Sequence, residues 1–292
     1  LFPLLLFDAT SEHIVRTLVH LSDLHFGRIA PGVLAPLMAQ IALIAPDLVV
    51  VSGDLTQRAH RHEFEAARAF LDALPAPWLA VPGNHDVPLY DVAQRLLTPL
   101  AKYRRHVDDQ LEPIYVDDEI AVLGINTARA LTIKDGRINV RQMALIRSRL
   151  AGLVQVDPGR TKIIVSHHPF DLPPPFGRSD LVRHAARGMA TFADCGVDLL
   201  LSGHLHASHA GNSSARHKID AYAALMVQAG TATSTRGRGE SNSFNVLQIE
   251  AACITVQRYS WHPGRAGFSL AHSASFAKLG AVWSELSALD AL

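Results

Sequence analysis

Sulfur is scarce in this chain: two cysteines, Cys195 and Cys253, stand far apart among 292 residues and in no Cys-x-x-Cys spacing. A thiolate metal site and a disulfide scaffold are therefore disfavoured, and both thiols read as small, inert hydrophobes. An excess of one charge is lacking too, because 27 basic residues balance 27 acidic ones. Proteins that grip duplex nucleic acid usually carry a basic face, so the balance counts against a nuclease, and no nucleic-acid module is evident. No apolar run reaches the roughly 20 residues of a transmembrane segment. The apolar opening, Leu1 to Phe7, is broken by Pro3 and has no basic residue before it, unlike a signal peptide. The cytoplasm is the expected compartment, with peripheral membrane association through that opening left open. Neither a Gly-x-Ser-x-Gly elbow nor a Gly-x-x-x-x-Gly-Lys loop occurs, which removes two common catalytic chemistries.

What the chain does have is histidine, 16 in all, and a recurring arrangement. Five apolar runs stop at residues that can bind metal. Val19-His20-Leu21-Ser22 leads into Asp23 and His25, and Leu48-Val49-Val50-Val51 into Ser52-Gly53-Asp54. Leu79-Ala80-Val81 leads into Pro82-Gly83-Asn84-His85-Asp86, Ile163 to Ser166 into His167-His168, and Leu199 to Gly203 into His204-Leu205-His206. Short β-branched and leucine runs bounded by Gly, Pro and Ser read as buried strands. If they share one sheet, their carboxyl ends line one edge, where open α/β sheets place ligands.

Between these runs, apolar residues recur near the helical period over 31–44, 62–74, 140–153 and 180–194. Strand-helix alternation at this spacing implies crossovers and largely parallel pairing. Later, 222–228, 244–250 and 254–259 look like strands with no helix between them, so a second or late antiparallel sheet is expected. Stretches 210–218 and 231–243 read as loops, and 279–289 as a last helix. With no repeat and no break in composition, a single domain over 1–292 is expected, its motif-bearing core about 15–260 and its tail 261–292. No apolar or coiled stripe marks an interface, which leaves a homo-oligomer open.

Each polar group has a plain reading when taken singly. Asp-x-His can be a helix cap beside a surface ring, Gly-Asp an ordinary N-cap, and His-x-His a polar loop. Their conjunction at the ends of comparable strands points instead to convergence on a dinuclear metal site.

The ordered set Asp23-x-His25, Gly53-Asp54, Gly83-Asn84-His85-Asp86, His167 and Gly203-His204-x-His206 resembles the calcineurin-like metallophosphoesterase superfamily. The resemblance implies an α/β fold, a two-sheet β-sandwich flanked by helices. It also implies a first metal on Asp23, His25, Asp54 and His206, and a second on Asp54, Asn84, His167 and His204, with Asp54 bridging. The cofactors would be two divalent ions, Mn, Fe, Zn or Co, since imidazole and oxygen donors suit these. Two ions about 3.5–4 Å apart can clamp an in-line displacement at phosphorus. A bridging hydroxide would be the nucleophile, and His85 the group that stabilises charge or protonates the leaving oxygen. Asp86 would orient its loop.

Gly53-Asp54-Leu55-Thr56-Gln57-Arg58-Ala59 lacks the Val-Asp-Arg-Gly continuation of the protein serine/threonine phosphatases. It looks more like the bacterial cyclic-nucleotide and glycerophosphodiester phosphodiesterase branch, which typically has an acidic residue at Gln57. The expected partner is a small phosphoester, with a phosphodiester favoured. A pyrophosphatase of a nucleotide-linked lipid precursor is the alternative, and a nuclease ranks third. Residues suited to the substrate are Asn126 and Arg129, which follow the apolar run Ala121 to Ile125 and so can open onto the same edge, His168 as a pocket or supporting residue, and Arg236 and Arg238, in a loop whose glycines let backbone approach a ligand and whose arginine forks match phosphate oxygens.

Overall fold

Strands that are apolar at every position must be covered on both faces, and four layers meet that demand. The computed structural model describes residues 15–156, 159–172, 180–213, 216–237 and 239–286. One sheet has eight strands in the order β3 (Trp78–Ala80), β2 (Leu48–Val51), β1 (Arg16–Leu21), β11 (Ser243–Ile249), β12 (Cys253–His262), β13 (Gly267–Leu279), β14 (Ala281–Glu285) and β9 (Tyr222–Ala223). The other has six, in the order β4 (Ile114–Val116), β5 (Ile120–Ile125), β6 (Thr161–Ser166), β7 (Leu199–Ser202), β10 (Leu225–Gln228) and β8 (His209–Asn212). β1, β2 and β3 run parallel, as do β5, β6, β7 and β10.

The two-residue period of a strand divides β2 between two cores. Leu48 and Val50 face the other sheet and meet Ile163, Val165, Leu199 and Leu201, all buried. Val49 and Val51 face outward, under Leu37 and Ile41 of α1 (Leu34–Ile44) and Phe64 and Phe70 of α2 (Arg61–Asp72). On the far side, Leu123, Ile125 and Ile164 pack beneath Ile146 of α3 (Val140–Val156) and Met189 and Phe192 of α4 (Ala185–Asp194). Each such side chain contributes about 1.5–3 kcal/mol by leaving water, which fixes where every strand ends. The two-sheet, helix-flanked class expected from the resemblance is the class observed.

Four sequence expectations need correction. The five polar groups follow strands of two sheets, three from one and two from the other, rather than one sheet edge. Over its described residues, the expected helix at 279–289 is instead the end of β13, a turn at Gly280 with φ +65° and then β14; 287–289 lie outside the described residues. Leu279, Val282 and Trp283 mimic a helical period, but pairing with β13 and β9 and burial of Trp283 outweigh that local pattern. β8 occupies part of the stretch read as a loop at 210–218, and α4 starts at Ala185 rather than at 180, behind His184 at φ +69°. Residues 1–7 lie outside the described residues. Among the described residues no helix is long and apolar enough to cross a membrane.

Candidate metal centre

Beyond its last ladder bond, each strand turns sharply. Asp23 (φ +52°), His25 (+48°), Asp54 (+52°), His204 (+76°) and His206 (+57°) all sit in the left-handed region. That region costs a non-glycine residue on the order of 1–3 kcal/mol and persists where the surroundings impose it, typically at functional sites. Here the turns aim seven side chains, those of Asp23, His25, Asp54, Asn84, His167, His204 and His206, at one another.

The donor atoms form four overlapping sets of three, Asp23-His25-His206, His25-Asp54-His85, Asp23-Asp54-His167 and His167-His168-His204, which with Asn84 gather into two clusters about Asp54. In one, Asp23 Oδ1 lies 3.2 Å from His206 Nε2 and 3.6 Å from His25 Nε2, which is 3.8 Å from Asp54 Oδ2. In the other, His167 Nε2 lies 3.4 Å from Asp54 Oδ2 and 3.1 Å from Asn84 Oδ1, with His204 Nδ1 3.1 Å from the same amide oxygen. Donor atoms bound at about 2.1 Å to one ion, at angles near 90–109°, stand roughly 3.0–3.4 Å apart. Most of these separations fall in that range; those of His25 are slightly wider. Asp54 Oδ2 belongs to both groups.

Unmet hydrogen-bonding capacity says the same. Asp23 Oδ1, both ring nitrogens of His25 and Nδ1 of His206 are buried without a hydrogen-bond partner, whereas buried polar atoms are nearly always paired. The remaining donor atoms are held from behind. His167 Nδ1–H donates to the Ser52 carbonyl at 2.8 Å, which turns Nε2 inward, and Asp23 Oδ2 accepts from Ser22 Oγ at 2.6 Å and His204 N at 3.0 Å. Such outer bonds orient metal ligands. The residues therefore fit a pair of cations.

Electrostatics without cations fits as well. Burial, the largest single influence, would raise the Asp54 carboxyl, but the charges of His167, His85 and His25 and the hydrogen bond from His167 together outweigh it and hold the group well below the usual range. Burial would likewise lower His167, yet the Asp54 charge lifts it to about 9. His204 is pushed down to about 3 by burial and then by its neighbour His167. A cation would take over the role of the His167 proton, so binding should release it.

The loops meet closely because they lack side chains at two points. A Cβ on Gly83 would overlap the Asp54 carboxylate, and one on Gly203 would overlap Ser22 Oγ. Asp86 ties the loops together. Its Oδ2 accepts from Leu55 N at 3.2 Å and Gly83 N at 2.9 Å, and its Oδ1 accepts from Thr56 N and Thr56 Oγ1, both at 2.9 Å. Burial and the Asp54 charge push this carboxyl up to about 6 against the pull of those donors.

His85 stands at the mouth. Its Nδ1–H donates to the Gln57 carbonyl at 2.8 Å, so Nε2 accepts from Arg236 Nη1 at 2.7 Å. Burial lowers its pKa, partly offset by Asp54. Nothing in the sequence indicated the Arg236–His85 pairing, although Arg236 was a candidate. His168 packs behind the centre, 4.5 Å from the His204 ring, with Nδ1 2.8 Å from Thr127 Oγ1 and Nε2–H donating to Lys134 O at 2.7 Å. Both its ring nitrogens thus have protein partners. Asn126 and Arg129 lie outside the seven-residue cluster. Asn126 Oδ1 accepts from Ala128 N, while Arg129 donates to the carbonyls of Asn126 and Ala128 and to Gln142 Oε1. Arg238 lies outside the described residues.

The chain is similar to a probable cyclic nucleotide phosphodiesterase of Synechococcus sp., 22% identical over 171 residues, covering 56% of this chain and 61% of the relative. It is 51% identical over 41 residues to the glycerophosphodiester phosphodiesterase GpdQ of Enterobacter lignolyticus, covering 14% of this chain and 15% of that one. The chain thus spans less than two thirds of either relative. In structure it resembles the purple acid phosphatase PPD1 from yellow lupin seeds, with TM-score 0.66 and 14% identity, over 91% of this chain and 54% of that one. The model of one family, calcineurin-like phosphoesterase, matches residues 16–208, the stretch that carries all seven clustered residues. This chain therefore belongs to the calcineurin-like phosphoesterases, hydrolases that typically use two divalent metals.

Proposed function

We propose that the chain is a dinuclear metal-dependent phosphodiesterase acting on a small organic diester, of the kind that cyclic nucleotides and glycerophosphodiesters exemplify. The carrying observation is the position of Asp54 Oδ2 between two groups of donor atoms. Asp23, His25, Asp54 and His206 form one binding set, and Asp54, Asn84, His167 and His204 the other. Two divalent ions of the Mn, Fe, Zn or Co type would supply Lewis-acid polarisation of the phosphoryl oxygens and acidify water for in-line attack.

The remaining tasks fall to the chain. Arg236, 2.7 Å from His85 Nε2, is placed to take the charge of an incoming phosphoryl group and so free that nitrogen. His85 then holds a proton at Nε2 for the leaving oxygen, while its Nδ1–H bond to Gln57 O keeps the ring aimed. General acid catalysis of this kind is worth about 10²–10⁴-fold. The names of both curated relatives favour a diester.

The test is hydrolysis of bis-p-nitrophenyl phosphate against p-nitrophenyl phosphate by the Mn-loaded protein. The expected result is a kcat/KM at least about ten-fold higher for the diester, or about 1.4 kcal/mol of preference. A preference for the monoester would overturn the phosphodiesterase reading.

A further inference from the structure

Beside the metal centre lies a larger cavity, about 910 Å³, lined by none of the seven clustered residues. Val87 lines both this cavity and the adjoining 190 Å³ pocket that holds Asn84, His85 and Arg236, so the two share a wall. Part of the lining is apolar, with Val87, Leu100 and Leu111. Its charged residues are all of one sign, Arg104, Arg129, Arg137 and Arg183, with no acidic residue among the lining, although the whole chain is balanced at 27 to 27. Arg137 and Arg183 are set side by side by backbone pairing, with Arg183 N donating to Gly136 O at 2.8 Å and Ile138 N to Arg183 O at 3.2 Å. Among the described residues neither guanidinium has a carboxylate partner. Both are exposed, so water screens their repulsion, but their forks stay available to an anion.

The walls are also held apart in advance. Arg95 donates to the carbonyls of Pro88 at 2.8 Å, Ala130 at 2.7 Å and Thr132 at 2.5 Å, joining the loop after His85 to the opposite wall. A preformed, mostly apolar cavity of this size suits an organic ligand of a few hundred Å³ or more. At its edge Leu131 is 86% exposed, an apolar surface with nothing over it.

We propose that this cavity receives the non-reacting part of the substrate, an organic group with an apolar body and a second anionic group, phosphate or carboxylate. This rests on the phosphodiesterase reading and narrows it. A cyclic nucleotide carries one charge and a glycerophosphodiester has no apolar body, so the cavity asks for more than either supplies.

The test uses the metal-loaded full chain and four probes measured by calorimetry: ethyl phosphate, hexyl phosphate, hexane-1,6-diol bisphosphate and 6-phosphonooxyhexanoate. Hexyl phosphate is expected to bind at least about five-fold tighter than ethyl phosphate through its added apolar area. One or both doubly anionic probes should gain a further ten-fold or so, and which of them gains more identifies the second anion. Ala101→Trp, which fills the cavity, should erase the hexyl gain, and Arg183→Glu only the second-anion gain. Both should keep the parent's metal content and a urea midpoint close to the parent's, which shows they are folded. Equal affinities for ethyl and hexyl phosphate, no gain from a second anion, or gains that survive the variants would each overturn the proposal. Graded binding in a protein that cannot hydrolyse bis-p-nitrophenyl phosphate would instead reject the phosphodiesterase reading and leave the cavity as an anion-binding site.

Discussion

Replacing Asp86 by Asn tests how the loops after β2 and β3 are locked together at the centre. The carboxylate accepts two bonds on each oxygen: Oδ1 from Thr56 N and Thr56 Oγ1, Oδ2 from Leu55 N and Gly83 N. An amide of the same shape keeps one acceptor oxygen and turns two N–H donors on the remaining pair. In one orientation the Leu55 and Gly83 amides lose their acceptor; in the other Thr56 N does, while Thr56 Oγ1 can turn its proton to His85 O at 3.1 Å. Asp86 is buried, at 1% exposure, so water cannot substitute. Each orphaned donor costs about 1–3 kcal/mol, and the amide takes the orientation that orphans one, giving a loss of about 1–3 kcal/mol, a sizeable share of the 5–15 kcal/mol that usually separates folded from unfolded states. Because Leu55 follows Asp54 and Gly83 precedes Asn84, metal affinity should fall roughly 10–100-fold as well. Urea unfolding at pH 8, where the carboxyl is ionised, should show a lower midpoint with an unchanged slope. A variant within about 0.5 kcal/mol of the parent, with full metal content, would refute this reasoning.

Two further predictions use other parts of the site. Gly83→Ala puts a methyl group against the Asp54 carboxylate, so metal affinity should drop at least about ten-fold with about 1–3 kcal/mol of lost stability; equilibrium dialysis showing parental affinity would contradict the close approach. His20 is fully buried, its Nε2 2.9 Å from Ser52 Oγ, and burial pushes its pKa down to about 3 with Asp23 opposing. The unfolded chain therefore binds a proton below about pH 6.5 that the folded chain refuses, and stability falls as pH drops from there toward 3. Between pH 7 and 5 that amounts to about 2 kcal/mol at roughly 1.4 kcal/mol per unit. In metal-free protein, His20→Gln should show a slope shallower by that amount, and identical slopes would remove His20 from the account.

The strand-end groups were readable because β1, β2, β3, β6 and β7 are covered on both faces, so each is an apolar run that breaks where burial ends. The edge strands were not. In β13, Ala and Ser alternate over a half-exposed surface, and across the turn into β14 the apolar residues Leu279, Val282 and Trp283, spaced like a helix face, conceal the strand. The division of the five groups between two sheets was also hidden, since strand pairing is set by packing partners distant in sequence. The left-handed turns at Asp23, His25, Asp54, His204 and His206 were invisible for a different reason. Positive φ usually announces itself as glycine, and here the liganding side chains occupy those positions themselves. Asn126 and Arg129 were selected for following an apolar run, β5, and the structure puts them in the cavity wall beside the centre instead of within it.

The central claim is that one aspartate, shared between side chains from two sheets, holds two cations next to a histidine that binds neither. Elemental analysis of the purified chain and of its Asp54→Ala and His85→Ala variants, each equilibrated with Mn, addresses it directly. The account expects about two ions per parent chain and per His85→Ala chain, and fewer than about half an ion per Asp54→Ala chain. Two ions retained without Asp54, or metal lost equally from the His85 variant, would contradict it.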